Sequence, residues 1–244
     1  MESTSFSYIE KNLTAVKARL LAAAERGGYP VPQLIAVTKS ASDDEVRALL
    51  RFGVDAIAEN RPQLFTARAA IIDEVREEMA ADGKALSTEI HLIGNLQTNK
   101  VKYVVGRAAT IQSLDSEKLA AEIARIAEKR GVIAPVLLEV NSGREAQKGG
   151  LMPEEVRPFA ERLASIPSLS VLGLMTMGPD FENPEDYRPC FRLVRDLAAE
   201  LSRDGLLPAS PILSMGMSGS YEVAAEEGAT HVRVGRSLFL REEA

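Results

Sequence analysis

The chain has 244 residues, and its 35 acidic and 29 basic side chains give a formal net charge of −6 at pH 7. This acidic balance excludes a nucleic-acid partner that requires a basic protein face. The single cysteine, Cys190, excludes an internal disulfide, and because no apolar run reaches the length of a membrane span, we expect a cytoplasmic protein with no membrane partner.

The predicted elements begin with a helix over about residues 4–26, where apolar residues recur at helical spacing before Gly27. Eight short segments rich in Val, Ile and Leu follow, and helical patterns separate them, as expected for parallel strands that are covered on both faces. These strands are predicted at residues 33–38, 55–58, 89–93, 110–113, 135–140, 171–175, 212–214 and 231–234. Ser42 and Glu45 predict a capping box for the first helix between strands.

The regular alternation of strands and helices predicts the fold class. Eight such units favour a single domain over residues 1–244, a (β/α)8 TIM barrel with an extra N-terminal helix. A doubly wound open sheet is the alternative. No Gly-x-Gly-x-x-Gly motif follows the first strand, so a dinucleotide-binding crevice is not supported.

In such a barrel the carboxyl ends of all strands meet on one face, where barrel enzymes keep their active sites. The residues that follow four of the predicted strands on this face form an unusual set. They are Lys39 after strand one, Asn60 after strand two, Met217 and Ser218 after strand seven, and Gly235 and Arg236 after strand eight. The loops after strands seven and eight often hold a phosphate in this fold. In the first of these loops, residues 216–219 lead into a helix N-terminus, whose free N–H groups favour an anion.

A lysine that faces a phosphate pocket suggests a Schiff base with a phosphorylated aldehyde, for which pyridoxal 5′-phosphate is the obvious candidate. We expect packing around Lys39 to desolvate its amine and favour the uncharged form that attacks an aldehyde. Arg233 lies two residues before Gly235 and shares its strand face, so it can point into the barrel mouth. Because a guanidinium only donates, it would keep a pyridine nitrogen unprotonated and the ring a poor electron sink.

Other chemistry-bearing residues are interpreted as structural. His91 lies within an apolar strand, and His231 begins strand eight at the end of the barrel away from the site. We place the two histidines at opposite strand ends, where they make no metal site with the one cysteine. Glu139 and Asn141 alternate on strand five, and a structural hydrogen-bonding role is favoured for them over acid–base work.

These motifs together resemble the YggS/PROSC family of pyridoxal phosphate homeostasis proteins, whose fold is similar to the barrel of bacterial alanine racemases. The matching stretches follow the family's order over nearly the whole chain, at residues 34–39, 59–60, 91–100, 173–175, 213–218 and 232–235. The resemblance implies a cofactor-linked Lys39, Arg233 at the pyridine nitrogen, Asn60 beside the ring, and phosphate contacts from Met217, Ser218, Gly235 and Arg236. Among the departures from the family pattern, Ala58 replaces a usual Gly and Ser220 replaces a common Asp.

We therefore expect a protein that binds pyridoxal 5′-phosphate for its intracellular homeostasis and delivery, with no catalytic residue and little or no turnover. Its expected partners are the cofactor and the apo-enzymes that require it. The chain ends soon after strand eight, without the second domain that completes the racemase site, so we expect a monomer. A racemase-like enzyme that uses the cofactor and a cofactor-free Schiff-base aldolase acting on a phosphosugar are the alternatives.

Overall fold

The computed structural model describes residues 6–145 and 147–241. Within these residues the strands are β1 Gln33–Val37, β2 Ala56–Glu59, β3 Glu89–Leu92, β4 Ile111–Leu114, β5 Ala134–Glu139, β6 Leu169–Met175, β7 Ile212–Ser214 and β8 His231–Val234. The α helices are α1 Ser7–Gly27, α2 Asp43–Arg51, α3 Pro62–Ala81, α4 Glu117–Arg130, α5 Pro153–Leu163, α6 Arg188–Arg203, α7 Tyr221–Glu226 and α8 Arg236–Phe239. Two 3₁₀ helices, Thr98–Tyr103 and Pro184–Tyr187, complete the assignment of the described residues.

The strands form a closed parallel barrel in chain order, and β1 closes the ring by pairing with both β2 and β8. In register, Ile35 lies beside Ala56 of β2 and beside Arg233 of β8. The closed ring confirms the predicted (β/α)8 barrel and excludes the open doubly wound sheet. Strand ends differ from the prediction by a residue or two, and the predicted helix start at residue 4 lies outside the described residues.

The predicted capping box at the start of α2 is confirmed. Ser42 Oγ accepts a hydrogen bond from the Glu45 backbone N–H at 3.2 Å, and a Glu45 carboxylate oxygen accepts one from the Ser42 N–H at 2.8 Å. These two bonds satisfy donors that a helix start leaves free. They fix the point at which the chain leaves the turn after β1 and enters α2.

Strand alternation divides the apolar side chains into two layers. One set lies inside the barrel and forms a cluster of Ile35, Val37, Ala56, Ala58 and Ile93. The alternate residues face outward and join the larger core between the sheet and the surrounding helices. A side chain near the end of a strand therefore faces either the barrel mouth or the helical layer, depending on its position in this alternation.

The extra helix α1 packs against α7 and α8, beside the last two strand–helix units. At Gly27 a Cβ atom would lie 2.5 Å from the carbonyl oxygen of Glu226, so the close approach requires glycine. Near the start of α1, the Asn12 side-chain amide donates to the carbonyl oxygen of Leu238 at 3.2 Å. The helix thus supports from outside the loops that follow β7 and β8. None of the helices in the described part of the chain has the length and apolar content to cross a membrane.

Candidate functional site

The predicted amine, Lys39, lies just beyond the carboxyl end of β1. It continues the alternating row of Ile35 and Val37, whose side chains lie inside the barrel. The Lys39 side chain is exposed, because the chain has left the strand and turns at this point. The prediction that packing desolvates the amine is therefore wrong for this structure, while the position at the barrel mouth is as predicted.

A buried polar network supports the turn that carries Lys39, which we call the lysine turn (residues 38–41). Thr38 Oγ1 donates to Glu59 Oε1 at 2.5 Å, and Arg68 Nε donates to the same oxygen at 3.4 Å. Arg68 also donates to the carbonyl oxygen of Ala41 at 2.6 Å and pairs with Asp43. Burial raises the pKa of Glu59, while the Thr38 hydroxyl and the charge of Arg68 oppose that change. The network fixes the lysine turn against β2 and α3.

Asn60 follows β2 at the same end of the barrel. Its Oδ1 atom is buried and has no hydrogen-bond partner among the described residues. The Gly94 backbone lies very close to it, since a Cβ atom at Gly94 would fall 2.2 Å from the Asn60 carbonyl oxygen. Asn60 thus brings an unsatisfied acceptor to the rim, next to a position where only glycine fits.

Arg233 occupies the interior of β8 and is 2% exposed. Its Nη1 atom donates to Ser214 Oγ at 2.7 Å, and its Nη2 atom donates to the Thr176 carbonyl oxygen at 2.8 Å. The Nε atom is buried and finds no partner within the described residues. Burial lowers the pKa of Arg233 to about 10, which the charge of Glu139 partly opposes, so the guanidinium remains protonated near pH 7. The side chain therefore offers its Nε–H group as a fixed donor that no described residue uses.

The loops after β7 and β8 are joined by a hydrogen bond from the Gly235 N–H to Ser218 Oγ at 3.3 Å. Gly235 also lies against β1, because a Cβ atom there would fall 3.2 Å from the Val37 carbonyl oxygen. Met217 and Ser218 are half-buried, and Arg236 is exposed at the start of α8. The structure thus brings together the predicted residues of these two loops beside the strand that leads to Lys39.

Glu139 has a more perturbed environment than sequence analysis indicated. It lies at the end of β5 on the wall of a cavity of about 400 Å³, which Met177 and Met217 also line. Burial raises the pKa of Glu139 to about 7, with a further increase from Asp115 and an opposing effect of Arg233. An acidic side chain within an apolar strand run was the signal available in the sequence.

The placement of the two histidines corrects the sequence interpretation. Their ring centroids lie 6.3 Å apart in an edge-to-face arrangement, so they are neighbours inside the barrel and not at opposite strand ends. His91 Nδ1 lies 2.7 Å from Thr110 Oγ1, and His231 Nδ1 lies 2.8 Å from Thr230 Oγ1. In the residues that the structure describes, no three His, Cys, Asp or Glu side chains converge as metal ligands.

The fold and the site define the class of this protein. The family of the alanine racemase N-terminal domain matches residues 11–242, so the barrel is of that class. A curated relative from Aquifex aeolicus, a pyridoxal phosphate homeostasis protein, is 42% identical over 231 residues, which cover 94% of this chain and 96% of the relative. The chain belongs to the family of pyridoxal phosphate homeostasis proteins.

Two solved structures share the fold of this chain. A protein of unknown function from Bifidobacterium adolescentis superposes with a TM-score of 0.89 at 34% identity, over 98% of this chain and 97% of that chain. PipY of Synechococcus elongatus PCC7942, solved with PLP bound, superposes with a TM-score of 0.76 at 29% identity, over 95% of this chain and the whole of that chain. Both similarities extend over nearly the full barrel.

Proposed function

We propose that this protein binds pyridoxal 5′-phosphate at the barrel mouth and takes part in holding and delivering it, with little or no turnover of its own. The observation that carries the proposal is the Nε–H of Arg233, a buried donor with no partner in the described residues, on the strand beside β1. A pyridine nitrogen carries one lone pair and fits a single free donor. The chain's relatives are named for this cofactor, and PipY was solved with it.

Each predicted residue has a role in this proposal. Lys39 would hold the aldehyde through its amine as a Schiff base, and Arg233 would contact the ring nitrogen. Asn60, with an unsatisfied Oδ1, would lie beside the ring. The phosphate would bind at the paired loops that contain Met217, Ser218, Gly235 and Arg236. Bound pyridoxal phosphate supplies an electrophilic aldehyde and a ring that withdraws electrons when its nitrogen is protonated.

The low turnover follows from the chemistry of Arg233. A guanidinium that stays protonated donates to the ring nitrogen and supplies no proton that the ring could keep. Without a protonated ring nitrogen, negative charge next to a bound amine is poorly stabilised. A racemase also needs a second base opposite the lysine. Three of the five tyrosine hydroxyls are bonded to other groups: that of Tyr8 to Glu45, that of Tyr29 to Arg195, and that of Tyr187 to the Phe181 N–H. A cofactor-free aldolase would leave Arg233 without a role.

Several other features of the proposal are still predictions. We propose that the chain acts as one domain over residues 1–244, as a monomer in the cytoplasm. The expected recipients of the cofactor are apo-enzymes that require it. The exposed Lys39 amine supports exchange with an incoming amine, because an accessible linkage can be reached from solvent.

The test is to load the purified protein with pyridoxal 5′-phosphate and to record its visible spectrum. The wild type should gain a visible band, and borohydride reduction followed by mass spectrometry should place the cofactor mass on Lys39. Lys39→Ala should lose the band, whereas Lys84→Ala, at an exposed residue in the α3–β3 loop, should keep it. Reduction that labels a different lysine, or a wild type that takes up no cofactor, would overturn the proposal.

A further inference from the structure

Arg233 is the first member of a chain of buried hydrogen bonds that crosses the barrel interior. Its Nη1 atom donates to Ser214 Oγ, and the Ser214 hydroxyl donates to Gln112 Oε1, each at 2.7 Å. On the far side, Gln112 Nε2 lies 3.3 Å from Thr110 Oγ1 and 3.4 Å from His91 Nδ1. All five residues are buried. The site residue is therefore coupled to β4 and β3 through side chains alone.

The direction of these hydrogen bonds follows from the two ends of the chain. Arginine can only donate, so Ser214 Oγ accepts from it and directs its own proton to Gln112. Burial lowers the pKa of His91 to about 3, with a smaller contribution from His231, so His91 is neutral near pH 7 and one ring nitrogen is an acceptor. Gln112 can bond to both Ser214 and His91, because its amide carries an acceptor oxygen and a donor nitrogen.

The same geometry fixes the plane of the guanidinium. Ser214 holds Nη1, and the Thr176 carbonyl oxygen holds Nη2 at 2.8 Å. With both terminal nitrogens anchored, the planar group cannot rotate about its long axis without losing one of these hydrogen bonds. The Nε–H remains as the donor that no described residue uses.

We propose that Gln112 is a positioning residue for the cofactor, since it directs the Ser214 hydroxyl away from Arg233 and so fixes the Arg233 Nε–H for the ring nitrogen. This inference rests on the proposed function. Without Gln112 Oε1, the Ser214 hydroxyl proton loses its acceptor and can turn toward the guanidinium. The Ser214 O–H and the Arg233 Nη1–H, which are both donors, would then face each other. Arg233 would then leave its position, and the ring nitrogen would lose its fixed donor.

A pair of substitutions at Gln112 tests this role. Gln112→Met keeps the length of the side chain but removes the acceptor. Gln112→Glu keeps the acceptor and, when burial keeps it protonated, also the donor. We expect the dissociation constant for pyridoxal 5′-phosphate to rise about tenfold in Gln112→Met and to stay near the wild-type value in Gln112→Glu. Gln63→Met, at an exposed position of α3, is the matched control.

The decisive readout is the protonation of the ring nitrogen, observed by NMR with cofactor labelled with ¹⁵N in the ring. In the wild type this nitrogen should stay unprotonated across the neutral pH range, and in Gln112→Met it should titrate. A purely structural role would lower the thermal midpoint without this change. Ser214→Ala removes the acceptor of Arg233 directly and should give the same titration, while Ser214→Thr keeps the hydroxyl and should restore the wild-type behaviour.

The outcomes separate this inference from the proposed function. A wild type that takes up no cofactor on Lys39 would contradict the proposed function itself. Uptake by the wild type together with unchanged affinity and ring-nitrogen protonation in Gln112→Met, relative to Gln63→Met, would overturn the positioning role alone. If Gln112→Met does not fold, Gln112→Asn, whose amide is one methylene shorter and withdraws its oxygen from the Ser214 hydroxyl, decides the question by the same two measurements.

Discussion

The Ser220 hydroxyl accepts a hydrogen bond from the backbone N–H of Met217 at 3.2 Å, and this contact closes the turn after β7. Ser220 is buried and stands where the family resemblance led us to expect Asp. Both side chains place an oxygen acceptor near the turn. The sequence departure at this position therefore keeps the contact that shapes the proposed phosphate loop.

Replacing this hydroxyl should weaken the protein by a measurable amount. In Ser220→Ala the Met217 N–H loses its side-chain partner, so we expect the free energy of unfolding to fall by about 1–2 kcal/mol. Urea denaturation of the cofactor-free protein measures the change. Ser87→Ala, at an exposed position before β3, should have little effect, and Ser220→Asp should recover most of the loss. Equal stability of Ser220→Ala and Ser87→Ala would contradict the proposed importance of this contact.

Gly216, at the start of the same turn, should be more sensitive to substitution than other glycines with positive φ. Its φ is +90°, and an added Cβ would lie 2.5 Å from the Cβ of Ala224. Gly205 has a φ of +74°, but an added Cβ would meet no heavy atom within 4 Å. An alanine at either position would have to adopt the unfavourable left-handed backbone conformation. Of the two, only an alanine at position 216 would also clash with Ala224.

We therefore expect Gly205→Ala to lower the free energy of unfolding by about 1–2 kcal/mol, and Gly216→Ala by about 1–3 kcal/mol more. Chemical denaturation of both variants in parallel gives the difference. Gly216→Ala should also bind pyridoxal 5′-phosphate more weakly, because the clash displaces the loop that contains Met217 and Ser218. Equal losses of stability in the two variants would show that α7 moves away at little cost.

Local sequence patterns were sufficient to predict the barrel and most positions at its mouth. Short apolar runs that end in turn residues locate the strands, and two-residue alternation places Arg233 inside the barrel. The exposure of Lys39 was not predictable in this way. It depends on where β1 ends and the lysine turn begins, and element boundaries are the least certain part of a sequence-based assignment.

Contacts across the barrel interior could not be predicted from the sequence. The Ser214–Gln112 hydrogen bond joins residues 102 positions apart, on strands that are not neighbours in the barrel. The histidine pair depends on the stagger between strands, which sets the height of each residue along the barrel axis. A one-dimensional pattern gives the face of a residue but not this height, and for that reason His91 and His231 were predicted to lie apart. For the Glu59 network, the signal available in the sequence was a basic residue, Arg68, at the spacing of the apolar positions of α3.

The half-buried Glu139 should make the stability of the cofactor-free protein depend on pH. Burial and Asp115 raise its pKa from the ordinary 4.5 to about 7. Between these two values the folded protein keeps a proton that the unfolded chain has released. The free energy of unfolding should therefore fall as pH rises through this window, by about 3 kcal/mol in total.

The substitution Glu139→Gln removes this titration while keeping the shape of the side chain. Burial lowers the pKa of His91 to about 3 and of His231 to about 4, so the two histidines destabilise the fold as pH falls below their ordinary value of 6.5. The pH dependence of stability that comes from the histidines therefore opposes the one that comes from Glu139. Because the variant and the wild type contain the same histidines, the difference between their free energies of unfolding reports on the Glu139 carboxyl group alone. Denaturation curves at about pH 5 and about pH 8 should show the variant gaining stability over the wild type only at the higher pH. Glu10→Gln, at an exposed position of α1, should show no such gain. A constant difference at both pH values would mean that folding leaves the pKa of Glu139 near its ordinary value, and would contradict the prediction.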